Sequence, residues 1–568
     1  MDIVYFILRL FVKIVVRLFF RQVTVLGREN IPATGPVIIC ATHNNQYVDA
    51  MMLIYAIRRP INFVIAASSA RLSYLKWFSK VAGFIPTERP IDHKVVGKGN
   101  IVRVTKHSIF GEGTEFTKEL HVGCSIKPKE IKEEFIVSRI VNDNELVVSP
   151  ASDIDFGVSY DLEKPCSYFI LPKLDQKKVF ASVANILKSD EVIGVFPEGG
   201  SHDQTKLLPL KAGACVFVWS AHAELNKDPA MICTGINYYD ASKFRSKVIV
   251  NISKPIKYEI DPNRFTDRAY KHSKIQEMLS SMRQSMEDVK FLAPSYKELM
   301  NLDVAGQLYT PSDVMLNKEE QFRLFKKFCN GYENIKDQQD VKELLENVEV
   351  FRQKIKSLGL KVHDVRDKET KLHIRPGHAV IEALKILIGI PFLLFLVPIR
   401  LILSKEAEKK RQKALSSSYV KVRATDVMAT WKIILSIVLI PAFLIIWVIC
   451  FFIFSKYLFK SESPFFYTFM FFLLFPIYLY FSVYMFDGIE RSLNILYARI
   501  VNIILTKIDK KDRIKELRGQ AEAIEKQLVK VIKDNIPILH EELKELVVKR
   551  MELEKENDET ISDMLDEI

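Results

Sequence analysis

The sequence predicts an α/β domain with a mixed sheet, split by a small all-β insert. A helical connector, a transmembrane helical hairpin and a C-terminal helical or coiled-coil region are expected to follow. Three observations lead there. Short apolar, β-branched runs alternate with helical patterns through the first half of the chain. The texture changes to short β-type runs between Arg89 and Lys178. Two uncharged apolar stretches, Ile433–Ser455 and Phe465–Phe486, are each long enough to span a bilayer, which needs about 20 residues.

Taken in order, residues 1–24 carry Arg9, Lys13, Arg17 and Arg21 at every fourth position, which puts them on one helical face. This predicts an amphipathic helix lying in the membrane interface; a helix packed on the soluble domain is the alternative. Residues 25–91 and 179–300 form the two parts of the α/β domain. Its strands are expected at Val37–Cys40, Asn62–Ala66, Val192–Phe196, Met231–Ile236 and Lys247–Ile252. Its helices are expected at Ser73–Val81, Val179–Leu187, Ala212–Glu224 and Tyr270–Asp288.

The insert, 92–178, carries β-type runs at Val102–Val104, His121–Ser125, Phe135–Ile140 and Glu145–Val148, separated by Gly, Asp, Asn and Pro. Within 301–378 the charged stretch Lys318–Leu358 reads as a solvated helical connector. In 379–404, the apolar run Ile386–Ile399 holds Pro391 and Pro398 and reads as a re-entrant or interfacial segment. Residues 405–432 are a Lys- and Arg-rich loop, placed in the cytosol by the positive-inside rule. The hairpin, 433–486, then returns both outer ends to that side. In 487–568, Ile514, Leu517, Ala521, Ile524, Leu528 and Val531 recur at spacings of three and four. That seam reads equally as a helix packed on its own chain or as a homodimer contact through the C-terminal helix.

The 81 Lys and Arg residues outnumber the 69 Asp and Glu, for a net charge of +12. With the apolar stretches, this suits a membrane protein facing anionic lipid or substrate. Zinc-finger, RNA-recognition and basic-zipper patterns are absent, so no nucleic-acid partner is expected. The seven cysteines are scattered and form no Cys-x-x-Cys pair, which disfavours a disulfide framework or zinc site and suits a reducing compartment.

Four stretches carry chemistry. CATHNNQYVDA ends a strand and presents His43 and Asp49, an acid–base pair by residue type. GFIPTERP presents Arg89, FPEGGSHD presents Glu198 and Gly199, and LLPLKAGACVF opens a helix with Lys211. Glycines at a strand end let backbone N–H groups approach an anion, and Arg and Lys supply cations for a phosphate. Together they describe a phosphate-handling cleft at the end of a sheet.

These four stretches, with GINYYDASKFRSKVIVNISKPI, APSYKELM and ATDVMATWK, resemble a yeast-like, endoplasmic-reticulum glycerol-3-phosphate/dihydroxyacetone-phosphate acyltransferase of the glycerolipid acyltransferase superfamily. The resemblance implies sn-1 acyl transfer from acyl-CoA to glycerol 3-phosphate or dihydroxyacetone phosphate, with no metal or bound cofactor. It implies a multi-pass endoplasmic reticulum membrane protein, in contact with membrane lipid, whose catalytic domain is cytosolic. His43 would be the base and Asp49 its orienting carboxylate. Arg89, Glu198, Gly199 and Lys211 would serve the acceptor phosphate.

In that superfamily four residues separate base and aspartate. Here Asn44 holds that place, and His43 stands one position earlier, with five residues before Asp49. An asparagine amide cannot accept a proton near neutral pH. A turn of small polar residues absorbs one insertion, so His43 is the expected base. Acylation of a lysophospholipid at sn-2, and a catalytically impaired or non-catalytic lipid-binding homologue, are the alternatives.

Overall fold

The computed structural model describes residues 3–70, 83–105, 107–131, 134–150, 160–174, 177–311, 316–358, 360–366, 376–416, 421–458, 462–509, 513–549 and 552. The expected helix Ser73–Val81 lies outside them.

After helix α1 (Ile3–Phe19), strands β1 (Gln22–Leu26), β2 (Val37–Ala41), β3 (Ile61–Ala66) and β4 (Ile85–Thr87) belong to one seven-stranded sheet. It is completed by β13 (Val192–Val195), β14 (Ala230–Tyr238) and β15 (Lys247–Ile252), in the order β1-β15-β14-β2-β13-β3-β4. β14, β2, β13, β3 and β4 run parallel, while β15 pairs antiparallel with β14 and carries β1 parallel to itself. The sheet is therefore mixed, as the sequence predicts.

Both faces of the sheet are covered, so the central strands are apolar on both sides. In β2, Val37, Ile39 and Ala41 enter one core with α1 and α2 (Gln46–Ala56). Ile38 and Cys40 enter the other, with α3 (Lys177–Lys188), α4 (Gly213–Leu225) and α5 (Arg268–Val289).

Helix α1 packs on the domain, the alternative reading of the N-terminus, and leaves an apolar stripe exposed. Tyr5, Leu8, Val12, Val16 and Phe19 are buried against the domain, while Phe6, Ile7, Leu10, Phe11 and Ile14 are exposed.

Between β4 and α3 the chain forms a second sheet of antiparallel pairs. Its strands are β5 (Val95–Val96), β6 (Asn100–Val104), β7 (Ser108–Glu112), β8 (Ser125–Pro128), β9 (Phe135–Asn142), β10 (Glu145–Pro150), β11 (Tyr160–Cys166) and β12 (Tyr168–Leu171). The expected strand His121–Ser125 is mostly a turn, because Gly123 takes a φ of +89°, and β8 begins only at Ser125.

After the sheet, α6 (Tyr296–Tyr309), α7 (Lys318–Ile335) and α8 (Gln339–Ser357) lead to a helical region. The stretch Lys318–Leu358 is not the solvated connector its charge suggests. Val341, Leu344, Val348, Phe351 and Ile355 are buried at spacings of three and four, with the charges on the outer face.

Helix α9 (Pro376–Ser416) is continuous where a re-entrant segment and then a loop were expected. It passes through Pro391 and Pro398 while packed against two later helices, α10 (Met428–Ile453) and α11 (Pro464–Asp509). Neighbouring helices tolerate the hydrogen bonds a proline removes. The stretches Thr425–Tyr457 and Pro464–Asn494 are long and apolar enough to cross a membrane.

Leu517, Ala521, Ile524 and Leu528 of α12 (Arg513–Asn535) are buried with residues of α6 and α8. The seam thus packs on its own chain. The face proposed for a homodimer contact is already occupied.

Candidate active site

β14, β2 and β13 are parallel neighbours, and their C-terminal ends meet at one edge of the sheet. Ligand sites in open α/β sheets form at such edges. His43 follows β2, Glu198 follows β13, and Tyr238 closes β14.

The turn between β2 and α2 absorbs the extra residue. Asn45 sits at φ −154° and Gln46, the first residue of α2, at φ +40°. Positive φ is uncommon for a residue with a side chain. The turn delivers the His43 ring to Asp49, with Nδ1 at 2.9 Å from Oδ2. The Asp49 side chain is fully buried. Its Oδ2 also accepts from the Asn45 N–H at 2.7 Å, and its Oδ1 from the Tyr238 hydroxyl at 2.6 Å.

Asp49 therefore faces donors only, so His43 Nδ1 carries the hydrogen and the Nε2 lone pair is left to accept a proton. Among the described residues no hydrogen-bond partner meets His43 Nε2. The ring is partly exposed and stacks on Phe196, with centroids 4.2 Å apart. Burial first, then the Asp49 carboxylate, pushes the Tyr238 phenol well above its usual range, so it remains a donor.

Glu198 is placed differently from its expected role. Its side chain is buried, and both oxygens are engaged. Oε1 accepts from the His43 N–H at 2.9 Å, and Oε2 accepts from the Leu208 N–H at 3.1 Å and from His202 Nε2. His202 Nδ1 accepts from the Gln204 N–H at 3.1 Å, so the imidazole proton sits on Nε2, facing Glu198. A buried, saturated carboxylate repels a phosphate. Glu198 instead pins the backbone of His43.

Burial alone would raise the Glu198 pKa. The His202 hydrogen bond, the buried Lys290 ammonium and the His43 N–H overcome it and hold the carboxyl down at about 2. Because the folded value is depressed, ionised Glu198 stabilises the fold above about pH 4.5, and this is lost as pH falls toward about 2. In thermal unfolding between pH 7 and 3, Glu198→Gln is expected to be less stable at pH 7 and to lose less of its Tm on acidification. Parallel curves for the two proteins would refute this assignment.

Gly199 takes φ +74°, and the Lys211 side chain lies over it. A Cβ at Gly199 would meet only the movable tip of Lys211, so it is the positive φ that favours glycine here. Lys211 itself is exposed. Arg89 stands just beyond β4, three strands from β2, where its guanidinium forks onto Asp92 at 2.8 and 3.0 Å. The structure thus gathers His43, Asp49 and Glu198 into one network and Gly199 with Lys211 beside it. Arg89 lies farther along the same edge.

Sequence reasoning missed Tyr238, His202 and Lys290. His202 had a signal, standing four residues after Glu198. Burial lowers the Lys290 pKa, opposed by Glu198 and Asp49. A cavity of about 440 Å³ adjoins the site, lined by Asn44, Gln204, Tyr238, Lys290, Tyr296 and Arg423 among others.

The class these features define is acyltransferase: residues 22–128 match the acyltransferase family model. More particularly, the chain resembles the glycerol-3-phosphate acyltransferases of yeasts. Residues 302–540 match the model for the glycerol-3-phosphate acyltransferase 2 C-terminal domain. The chain is 28% identical to an uncharacterized acyltransferase of Schizosaccharomyces pombe, over 80% of this chain and 70% of that one. It is 27% identical to glycerol-3-phosphate O-acyltransferase 2 of Saccharomyces cerevisiae, over 76% of this chain and 62% of that one. For glycerol-3-phosphate O-acyltransferase 1 of the same yeast the identity is 26%, over 76% and 58%. The matches thus span less than two thirds of either budding-yeast relative.

Proposed function

We propose that this protein transfers an acyl group from acyl-CoA to the sn-1 hydroxyl of glycerol 3-phosphate or dihydroxyacetone phosphate, with His43 as general base. The observation that carries the reading is the pairing of His43 Nδ1 with buried Asp49, which leaves Nε2 open. Nε2 takes the acceptor's hydroxyl proton as that oxygen attacks the thioester carbonyl. The new C–O bond forms, the C–S bond breaks, and the imidazolium returns its proton to the departing CoA thiolate. Asp49 holds the ring and stabilises its charged form.

Lys211, over Gly199, is the cation for the acceptor phosphate, and Arg89 is a second cation at the same edge. The two long apolar helices support a hairpin crossing a membrane, which on this reading is that of the endoplasmic reticulum, and the Lys- and Arg-rich stretch before them supports a cytosolic catalytic domain. The exposed apolar stripe of α1 supports contact of the domain with lipid. The antiparallel sheet between β4 and α3 supports an inserted all-β domain.

The test is acylation by the purified full chain in lipid nanodiscs. Palmitoyl-CoA is the donor, and glycerol 3-phosphate, dihydroxyacetone phosphate and lysophosphatidate are offered separately. Transfer to one or both of the first two is expected. Lys211→Met is expected to raise the acceptor KM by about 10-fold or more, the size of one lost charge-assisted hydrogen bond, with the acyl-CoA KM little changed. Transfer to lysophosphatidate alone would overturn the sn-1 reading.

A further inference from the structure

The chain that leads into the first long apolar helix is bonded to the catalytic turn itself. Asp203, at the end of FPEGGSHD, accepts from the backbone N–H groups of Val422 at 2.8 Å, Arg423 at 2.7 Å and Thr425 at 3.2 Å. Burial opposes charge on Asp203, but these three donors outweigh it and lower its pKa. Ser201 donates to Asp426 Oδ2 at 2.7 Å, and the Lys421 ammonium meets the same fully buried carboxylate. In the first turn of α10, the Thr430 hydroxyl donates to the Asn45 carbonyl at 3.2 Å. Lys432 Nζ donates to the Ser242 carbonyl at 2.6 Å.

These contacts fall on both sides of His43. The Asn45 N–H holds Asp49, while its carbonyl is held by Thr430. The loop from Glu198 to Gln204 grips His43 from the other side. Glu198 accepts from the His43 N–H, the His202 N–H donates to the His43 carbonyl at 3.1 Å, and the Asn44 amide donates to the His202 and Gln204 carbonyls at 3.2 and 3.4 Å. That loop is in turn held from outside by residues 421–426.

We infer that residues 421–432 are a wall of the active site, with Asp203, Asp426 and Thr430 as positioning residues through which the membrane-proximal helix holds the His43–Asp49 turn in register. The inference rests on the reading of His43 as general base. Its consequence is that chemistry depends on how α10 is seated. A shift of its first turn pulls on the Asn45 carbonyl and loosens the loop that carries Glu198. Displacements of about 1 Å at a reacting centre cost on the order of 10²-fold in rate.

The test uses the full chain in lipid nanodiscs with Asp203→Asn, Thr430→Val and Thr430→Ser. Lys413→Ala, an exposed position in α9, is the control. Two quantities are read. The first is backbone amide exchange of the 43–49 turn, which needs no acyl transfer. It is expected to speed up about 10-fold or more in Asp203→Asn and Thr430→Val, and to stay at the wild-type rate in Thr430→Ser and Lys413→Ala. The second is initial-rate kinetics. Thr430→Val is expected to lower kcat about 5- to 10-fold and Asp203→Asn about 10- to 100-fold, with both KM values within about twofold. Thr430→Ser should restore kcat, because it restores the hydroxyl. A residue that merely supports the fold would move Tm and expressed yield without this kcat–KM split or the serine rescue. Unchanged exchange in the 43–49 turn overturns the inference. So does a kcat within twofold of wild type in both Asp203→Asn and Thr430→Val. Faster exchange in these variants, where the wild type acylates no acceptor, would keep the mechanical coupling and refute the proposed function instead.

Discussion

His43→Ala is expected to lower kcat for acyl transfer by about 10²–10⁴-fold, the usual contribution of a general base, with both KM values within a few-fold. Asn44→His is expected to give no gain over the wild type. The geometry decides between them. His43 Nδ1 is 2.9 Å from Asp49, whereas the Asn44 amide is spent on the His202 and Gln204 carbonyls. A histidine at 44 would release those carbonyls and stand outside the Asp49 pairing. The check is initial-rate measurement on the three proteins with saturating acyl-CoA. Higher activity in Asn44→His than in the wild type, or full activity in His43→Ala, would refute His43 as base.

Asp49→Asn is expected to lower kcat by roughly 10²–10⁴-fold as well, through loss of the charge that stabilises the imidazolium rather than through the ring's position. Asp49 accepts from His43, the Asn45 N–H and Tyr238. A carboxamide offers one accepting oxygen and an NH₂ that faces a donor. The least costly arrangement keeps the amide oxygen toward His43 Nδ1 and the Asn45 N–H and turns the NH₂ to Tyr238, whose hydroxyl can rotate to accept it, so the ring stays in place but the imidazolium loses the negative charge that stabilises it. Asp49→Asn should therefore retain substrate binding, seen as KM values close to wild type, while kcat collapses. Loss of binding with unchanged kcat would assign Asp49 a structural place only.

Much of this arrangement is legible in the sequence, for identifiable reasons. β2, β13 and β14 are found from their apolar runs because both of their faces are buried. β1 and β4 are not. QVTVL alternates with polar residues and is only partly buried, and IPT is three residues long with a proline. His43 and Asp49 are close in sequence, and the turn between them is local, so their pairing can be read ahead of the fold.

Tyr238 meets Asp49 from 189 residues away, and no local pattern announces it. Glu198 shows the opposite limit. Its position was legible and its surroundings were not, because His202, Leu208 and the His43 amide fill its oxygens only after folding. The charged connector illustrates why composition misleads. Charge density counts every face of a helix, whereas packing uses one stripe of it.

The two-sided α1 carries a kinetic consequence. One stripe is sunk in the domain and the other is turned outward. On the proposed membrane seat, the helix acts as a keel that holds the sheet edge at a fixed height above the lipid. An amphiphilic donor would then approach the site by lateral diffusion within the leaflet. The concentration that matters is its mole fraction among the lipids, so turnover obeys surface dilution rather than bulk concentration.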